Sequence, residues 1–417
     1  MRDVEGVIQR VGGQGDGVLQ QDGQTYYVPF TVPGDRVAAR IGKARGDGYA
    51  AALHEVQSPG PGRVTPPCPH FHACGGCAFQ HWDERPYLEW KREQVHIALV
   101  RRDFDGVEVA ETIAVPPGER RRADLVALRV AKKVLIGLHE RDGKRIVNME
   151  TCHVLDPRLV AMLDPVRDLL AQILPVGAPA DVVMTATDGG IDLGLGRISP
   201  SMAQRTQMVA FAERHNLARI TLLGSDGPLV VRRAPVLRFG GVPVELPPGG
   251  FVQASPAAEA AMTRMVVEGL VGATRIVDLF CGMGTFSLPL VKEAKVHAID
   301  TDPNLIAALQ TGANRAVLGG QLSSERRDLF RQPLTAKELG KFDGLVFDPP
   351  RAGAREQALE IAKSDVPVVV AVSCYPASFA RDARLLADGG YRLDRVVPVD
   401  QFRWSPHVEL VGVFRRP

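Results

Sequence analysis

The rhythm of apolar and polar positions changes twice along the chain. Over residues 1–57, short apolar stretches at 4–11, 26–30 and 36–41 alternate with Gly12-Gly13-Gln14-Gly15-Asp16-Gly17 and Val32-Pro33-Gly34-Asp35. Short strands separated by such turns predict a small OB-like barrel. Barrels of that kind often bind nucleic acid on one face; the plainer alternative is a cap or a dimerisation module. Ser58-Pro59-Gly60-Pro61-Gly62 is a linker by composition.

Residues 84–102 carry Tyr87, Leu88, Val95, Leu99 and Val100 at the spacing of an amphipathic helix. This helix is a candidate to pack on the catalytic segment. Residues 120–245 are strand-rich, with helical stretches at 157–173 and 200–215, and Leu246-Pro247-Pro248-Gly249-Gly250 is a second linker. From residue 256 strands and helices alternate. Helices are predicted at 256–270, 284–293, 303–318 and 376–388, and strands at 275–279, 295–300, 344–348, 366–373, 391–397 and 409–415. Such alternation implies a parallel, doubly wound sheet. The expected fold is α/β: a barrel at 1–57, a central α+β domain at 58–245 and a Rossmann-like domain at 246–417.

A chain of 417 residues that is 45% hydrophobic can bury full cores in about two or three domains. No apolar run is long enough to cross a bilayer, and the first residues lack the apolar core of a secretory signal. A cytoplasmic protein is expected. Net charge is only +2, which by itself does not argue for nucleic acid. Between Glu119 and Arg145, however, nine Lys/Arg face four Asp/Glu. Arg120-Arg121-Arg122 with Lys132 and Lys133 could contact phosphates, but taken alone such a run reads rather as a solvated strand face.

Candidate chemistry gathers at the ends of the predicted strands. Asp278-Leu279-Phe280-Cys281-Gly282-Met283-Gly284 follows one strand and opens a helix, where two glycines let backbone approach a ligand. The spacing is not the full dinucleotide fingerprint. Asp300 ends the next strand, where a carboxylate can accept from ribose hydroxyls, and Asp328 and Asp348 follow later ones. Together these favour S-adenosylmethionine over a nicotinamide. Asp348-Pro349-Pro350-Arg351 lacks the final aromatic residue associated with methylation of exocyclic amines. Cys374 ends the strand Val368-Val369-Val370-Ala371-Val372-Ser373, where the helix that follows is expected to lower its pKa. A thiolate added to C6 of a pyrimidine turns C5 into an enolate-like carbon able to accept a methyl group. A base must then take the C5 proton, and Pro406-His407-Val408-Glu409 offers two.

The segments 278–284, 348–353 (Asp-Pro-Pro-Arg-Ala-Gly), Ser373-Cys374 and His407-Val408-Glu409 resemble the RNA 5-methyluridine methyltransferase family, and Gly250-Phe251-Val252-Gln253 resembles that family's entry into its catalytic domain. The resemblance spans nearly the whole chain. It is strongest to the subgroup acting on 23S ribosomal RNA, which carries an N-terminal TRAM barrel and a four-cysteine cluster; other relatives act on tRNA. It implies Cys374 as nucleophile and Glu409 as base. It also implies Gln253, Phe280, Thr285, Asp300, Asp328 and Asp348 around S-adenosylmethionine. Tyr375 stands where the family has Asn, Thr285 where Asn is common and Asp300 where Glu is common.

Cys68, Cys74, Cys77 and the distant Cys152 match the family's iron–sulfur ligand pattern. Four thiolates suit zinc or a [4Fe–4S] cluster; the solitary fourth cysteine is less usual for zinc. Methyl transfer has no redox step, so a structural cluster is expected. The partner is RNA, most closely 23S rRNA with tRNA as the alternative, with no membrane, and the chain is expected to be a monomer. A non-catalytic ribosome-assembly role is opposed by Cys374 and Glu409. A 5-methylcytidine enzyme is opposed by Cys281, which falls in the cofactor loop rather than serving as a second catalytic thiol.

Overall fold

The computed structural model describes residues 3–416; Met1 and Arg2 of the expected barrel and Pro417 of the expected catalytic segment lie outside them. The chain opens with strands β1 (Asp3–Val7), β2 (Arg10–Val11), β3 (Gly17–Gln21), β4 (Gln24–Val28), β5 (Arg36–Arg45) and β6 (Gly48–Ser58). They form one barrel-like sheet in the order β1-β5-β6-β4-β3-β2 around Val4, Ile8, Leu19, Val28 and Val37. The single strand expected at 4–11 is interrupted at Ile8, whose N–H turns to the carbonyl of Asp35. The glycine-rich linker is anchored rather than loose: Asp35 accepts from the Gly60 amide at 2.8 Å and pairs with Arg63 at 2.8 Å.

Helix α1 (Glu84–Val100) follows. The central sheet takes β7 (Arg122–Val130), β8 (Lys133–Gly137), β9 (Pro179–Thr187), β10 (Gly190–Gly196), β11 (Arg219–Leu222) and β12 (Pro228–Val231), in the order β12-β11-β10-β9-β7-β8. Helices α2 (Pro157–Ala161), α3 (Leu163–Ile173) and α4 (Met202–Arg214) accompany it. The helix expected across 157–173 is split at Met162, because Pro165 has no N–H for the carbonyl of Ala161. A hairpin, β13 (Val236–Phe239) and β14 (Val242–Glu245), leads into the last region.

There α5 (Pro256–Gly269), β15 (Arg275–Leu279), α6 (Ser287–Leu290), β16 (Lys295–Asp300), α7 (Pro303–Arg315) and β17 (Leu322–Arg326) come first. Then follow α8 (Ala336–Leu339), β18 (Gly344–Phe347), α9 (Arg355–Ala362), β19 (Val368–Ser373), α10 (Pro376–Asp388), β20 (Arg392–Val399) and β21 (Glu409–Arg415). Their order is β17-β16-β15-β18-β19-β21-β20. Two apolar clusters cover the two faces, as a sheet buried on both sides requires. The sheet is not wholly parallel: β21 enters between β19 and β20 and runs antiparallel to both. Helix α6 covers only part of the expected 284–293, because Pro289 cannot donate to the carbonyl of Thr285.

Candidate active site

The reversal of β21 builds the site. Because β21 runs against β19, its first residue meets the carboxyl end of β19; Leu410 pairs with Ser373, so Glu409 and Cys374 are neighbours at one sheet edge. Asp348 leaves the adjacent strand β18 at the same edge. Gln253 arrives from the segment before α5, and its amide donates to Asp348 Oδ2 at 3.0 Å. Gln401, just after β20, donates from Nε2 to Gln253 Oε1 at 2.8 Å and to Glu409 Oε1 at 3.1 Å. Asp348, Gln253, Gln401 and Glu409 therefore form one hydrogen-bonded chain beside the thiol. Gln253 is thereby joined to Asp348, whose own amide donates to the carbonyl of Leu279 at the end of β15.

Burial controls the protonation of these groups. It pushes the Cys374 thiol up to about 11; the charges of Glu409 and Asp348 add to this, and the Cys374 backbone amide and Arg351 oppose it. The expectation that the N-terminus of α10 would activate this thiol is not met: burial and two carboxylates outweigh a helix end. Burial likewise raises Glu409, reinforced by Asp348 and opposed by Gln401 and Lys91. Burial raises Asp348, opposed by Gln253. Glu409 does not pair with Arg403, which reaches Glu84 at 2.7 Å and the carbonyl of Val115 at 2.8 Å. His407 lies exposed at the rim, edge-on to Phe402 at 6.0 Å.

A second group surrounds the glycine turn at the end of β15. Phe280 has φ 63°, rare for a bulky residue and a mark of local strain at a site. Gly282 has φ 55° with open space where a Cβ would stand, whereas a Cβ on Gly284 would come within 2.4 Å of Leu309. Asp300 Oδ2 accepts from the Gly282 amide at 2.9 Å, tying the turn to β16. Thr285 is half-buried just past the turn. Asp328 caps the next turn through the Phe330 amide at 3.0 Å, which brings the Phe330 ring within 5.5 Å of that of Phe280. Asp278, fully buried, accepts from Ser287 at 2.5 Å while its Oδ1 has no partner. Burial pushes its carboxyl up to about 7.

Several positioning groups escaped the sequence reading. Lys91 is fully buried and pairs with Asp400, and it donates to the carbonyl of His407 at 2.5 Å. Tyr87 donates to Asp400 at 2.9 Å and accepts from the Trp404 amide at 2.8 Å. Helix α1 thus clamps the 400–409 loop that carries Glu409. A signal was present: Lys91 interrupts the apolar row Tyr87, Val95, Leu99 at four-residue spacing, and a cation in such a row needs a buried partner. Gln401 was announced only by the polar pair Asp400-Gln401 closing an apolar strand. The reading of Arg121 and Arg122 as phosphate contacts is corrected. Arg121 is buried, pairs with Glu259 and donates to the carbonyl of Gln253 at 2.9 Å. Arg122 reaches the carbonyl of Gly250 at 2.6 Å. Both fasten the strap bearing Gln253 and are not free for phosphates. Arg120 lines the cysteine cavity.

Cys68, Cys74, Cys77 and Cys152 all line one cavity of about 450 Å³ between the 68–80 segment and the central sheet. Gly75 fixes the approach: its amide donates to the carbonyl of His139 at 3.0 Å, and a Cβ there would lie 2.9 Å from that oxygen. Burial raises the Cys74, Cys77 and Cys152 thiols, Cys77 to about 12. Among the described residues, no three His, Cys, Asp or Glu side chains stand close enough to hold a single metal ion. No helix among them is long and apolar enough to cross a membrane.

Residues 244–416 match the model of the tRNA (uracil-5-)-methyltransferase family. An RNA methyltransferase of Caulobacter vibrioides is 44% identical, covering 98% of this chain and 99% of its own. An RNA methyltransferase of Brucella suis is 43% identical, covering 98% and 97%. The 23S rRNA (uracil(1939)-C(5))-methyltransferase RlmD of Shewanella amazonensis is 31% identical, covering 98% and 94%. The crystal structure of the Pyrococcus abyssi tRNA (uracil-54, C5)-methyltransferase with S-adenosyl-L-homocysteine superposes with a TM-score of 0.78 at 23% identity, over 99% of this chain and 100% of that one, and shows the shared fold. The chain belongs to the RNA 5-methyluridine methyltransferase family and is an S-adenosylmethionine-dependent RNA uracil-C5 methyltransferase.

Proposed function

We propose that the protein methylates C5 of a uridine in 23S ribosomal RNA through a covalent adduct between Cys374 and C6. The observation carrying the chemistry is the register that sets Glu409 beside Cys374. Cys374 sulfur bonds to C6, and the C5=C6 electron pair moves to C5. S-adenosylmethionine, when bound, supplies the methyl group that C5 takes. Glu409 then accepts the C5 proton, the C5–H pair re-forms the double bond, and the C6–S bond breaks to return the thiolate. Gln401 and Gln253 hold Glu409 and Asp348 in place, and burial keeps water from competing for the proton. For the cofactor, Phe280, Thr285, Asp300, Asp328, Asp348 and Gln253 are the proposed contacts. The carboxylate of Asp300, tied to the glycine turn, suits ribose hydroxyls, and the unpartnered Oδ1 of Asp278 leaves room for a further donor nearby.

Ribosomal RNA is favoured by the 31% identity to the Shewanella rRNA enzyme against 23% to the Pyrococcus tRNA enzyme. We assign residues 1–57 to RNA binding, 58–245 to the cluster-bearing domain and 246–417 to the chemistry. Nucleoside mass spectrometry on a strain lacking the gene should show 5-methyluridine lost from 23S rRNA and unchanged in tRNA. Loss from tRNA alone would reverse the assignment.

Cys68, Cys74, Cys77 and Cys152 line one cavity, and four cysteines are the donor set such a cluster takes. We infer that Cys68, Cys74, Cys77 and Cys152 hold a structural [4Fe–4S] cluster, tying the 68–77 segment to the central sheet. Protein purified without oxygen should be brown and contain about four irons per chain, and Cys74→Ser should lose iron and solubility together. Stoichiometric zinc without iron in an active preparation would overturn this.

A further inference from the structure

The thiol of Cys374 opens into a groove of about 860 Å³ between the barrel, α1 and the catalytic domain. Arg10 and Gln14 of the barrel, Arg101 beyond α1, Arg351, Tyr375 and His407 line it. Tyr375 is the exposed aromatic of this wall: 38% of it remains accessible although it directly follows the nucleophile. Its backbone is fixed, with the N–H donating to Ser373 Oγ at 3.3 Å and the carbonyl accepting from Ser378 Oγ at 3.1 Å. The Arg351 guanidinium lies over the ring, 4.6 Å from its centroid. A rigidly held aromatic backed by a cation, open to a groove that ends at the reacting atom, is unexplained by the chemical steps. Cys374 adds to C6, Glu409 takes the proton, and neither needs a phenol.

We propose that Tyr375, backed by Arg351, is a stacking platform for the RNA base next to the target uridine. Resting on the RNA-methylation reading above, this makes Tyr375 a determinant of affinity for the splayed strand. A uridine that reaches Cys374 must leave its stack, and its neighbour loses a stacking partner when it does. The ring replaces that partner, and Arg351 adds a charge that attracts the adjoining phosphate. Such stacking tolerates any base, since every base has a π-face.

The test is fluorescence-anisotropy binding of the full chain to a short single-stranded RNA with one uridine, and to the same RNA made abasic on the 5′ or the 3′ side of that uridine. The wild type should lose about tenfold in affinity with one of the two abasic RNAs. Tyr375→Ala should lose about as much on intact RNA and be indifferent to that same abasic change, while Tyr375→Phe should recover the wild-type pattern. Unchanged affinity in Tyr375→Ala, or an equal loss on all three RNAs, overturns the platform. 5-Methyluridine formation on the intact RNA is scored separately. Binding that follows the stacking pattern without any 5-methyluridine would keep the platform and count against a short single strand as the substrate.

Discussion

Cys374→Ala should abolish methyl transfer, by on the order of 10⁴-fold or more, while S-adenosylmethionine binds almost as before. The thiol ends β19, whereas Phe280, Asp300 and the glycine turn stand at β15 and β16, so deleting one sulfur leaves that group untouched. With RNA carrying 5-fluorouridine, whose C5 has no proton to lose, the wild type should form an adduct that survives denaturation and the variant none. An adduct on Cys374→Ala would refute the assignment. The pH dependence follows from the environment of the thiol. Burial first, then Glu409 and Asp348, raise it to about 11, so the thiolate is a minority species at neutral pH. The rate of adduct formation should therefore climb by about tenfold per pH unit through the neutral range, the thiolate being the reactive form.

The sequence announced the catalytic half more clearly than the parts that orient it. Strands β15, β16, β18 and β19 are apolar enough to read directly, and the chemistry-bearing residues follow their ends. Strand β17, Leu-Ser-Ser-Glu-Arg, is an edge with a single apolar residue and gave no such signal. The direction of β21 was invisible because a two-residue period is the same read from either end; yet that direction is what sets Glu409 against Cys374. Arg121 and Arg122 were misread because a guanidinium engaged by carboxylate or carbonyl partners looks, in sequence, like part of a basic surface patch. What tertiary structure added was partnership: Lys91 with Asp400, Gln401 between Gln253 and Glu409, Arg121 with Glu259. Each joins segments far apart in the chain, and no local pattern encodes the pairing.

Glu409→Gln should leave the first half of the reaction working and stall the second, so that methylated RNA accumulates on Cys374. After methylation C5 bears both a hydrogen and the new methyl group, and the C6–S bond breaks only as that hydrogen leaves as a proton. Gln keeps the size of Glu409 but accepts no proton, so release should slow by roughly 10²- to 10⁴-fold. Adduct formation itself should become faster in alkaline solution. There the Glu409 carboxylate is charged and disfavours the Cys374 thiolate, and Gln removes that charge. Burial and the neighbouring Asp348 hold Glu409 above the ordinary carboxylate range near 4.3. The base must be ionised to act, so wild-type release should already weaken as pH falls through neutrality, and this limb should vanish in Glu409→Gln. His407 is the rival, two residues away at the rim of the groove. Partial burial, Arg351, Lys91 and Arg120 hold its imidazole neutral and able to accept a proton. Denaturing gels and mass spectrometry of the trapped species decide between them. A methylated adduct in Glu409→Gln and ordinary turnover in His407→Ala make the carboxylate the base, whereas the reverse pattern would hand that role to the histidine and leave Glu409 as a buried acid that only positions Gln401.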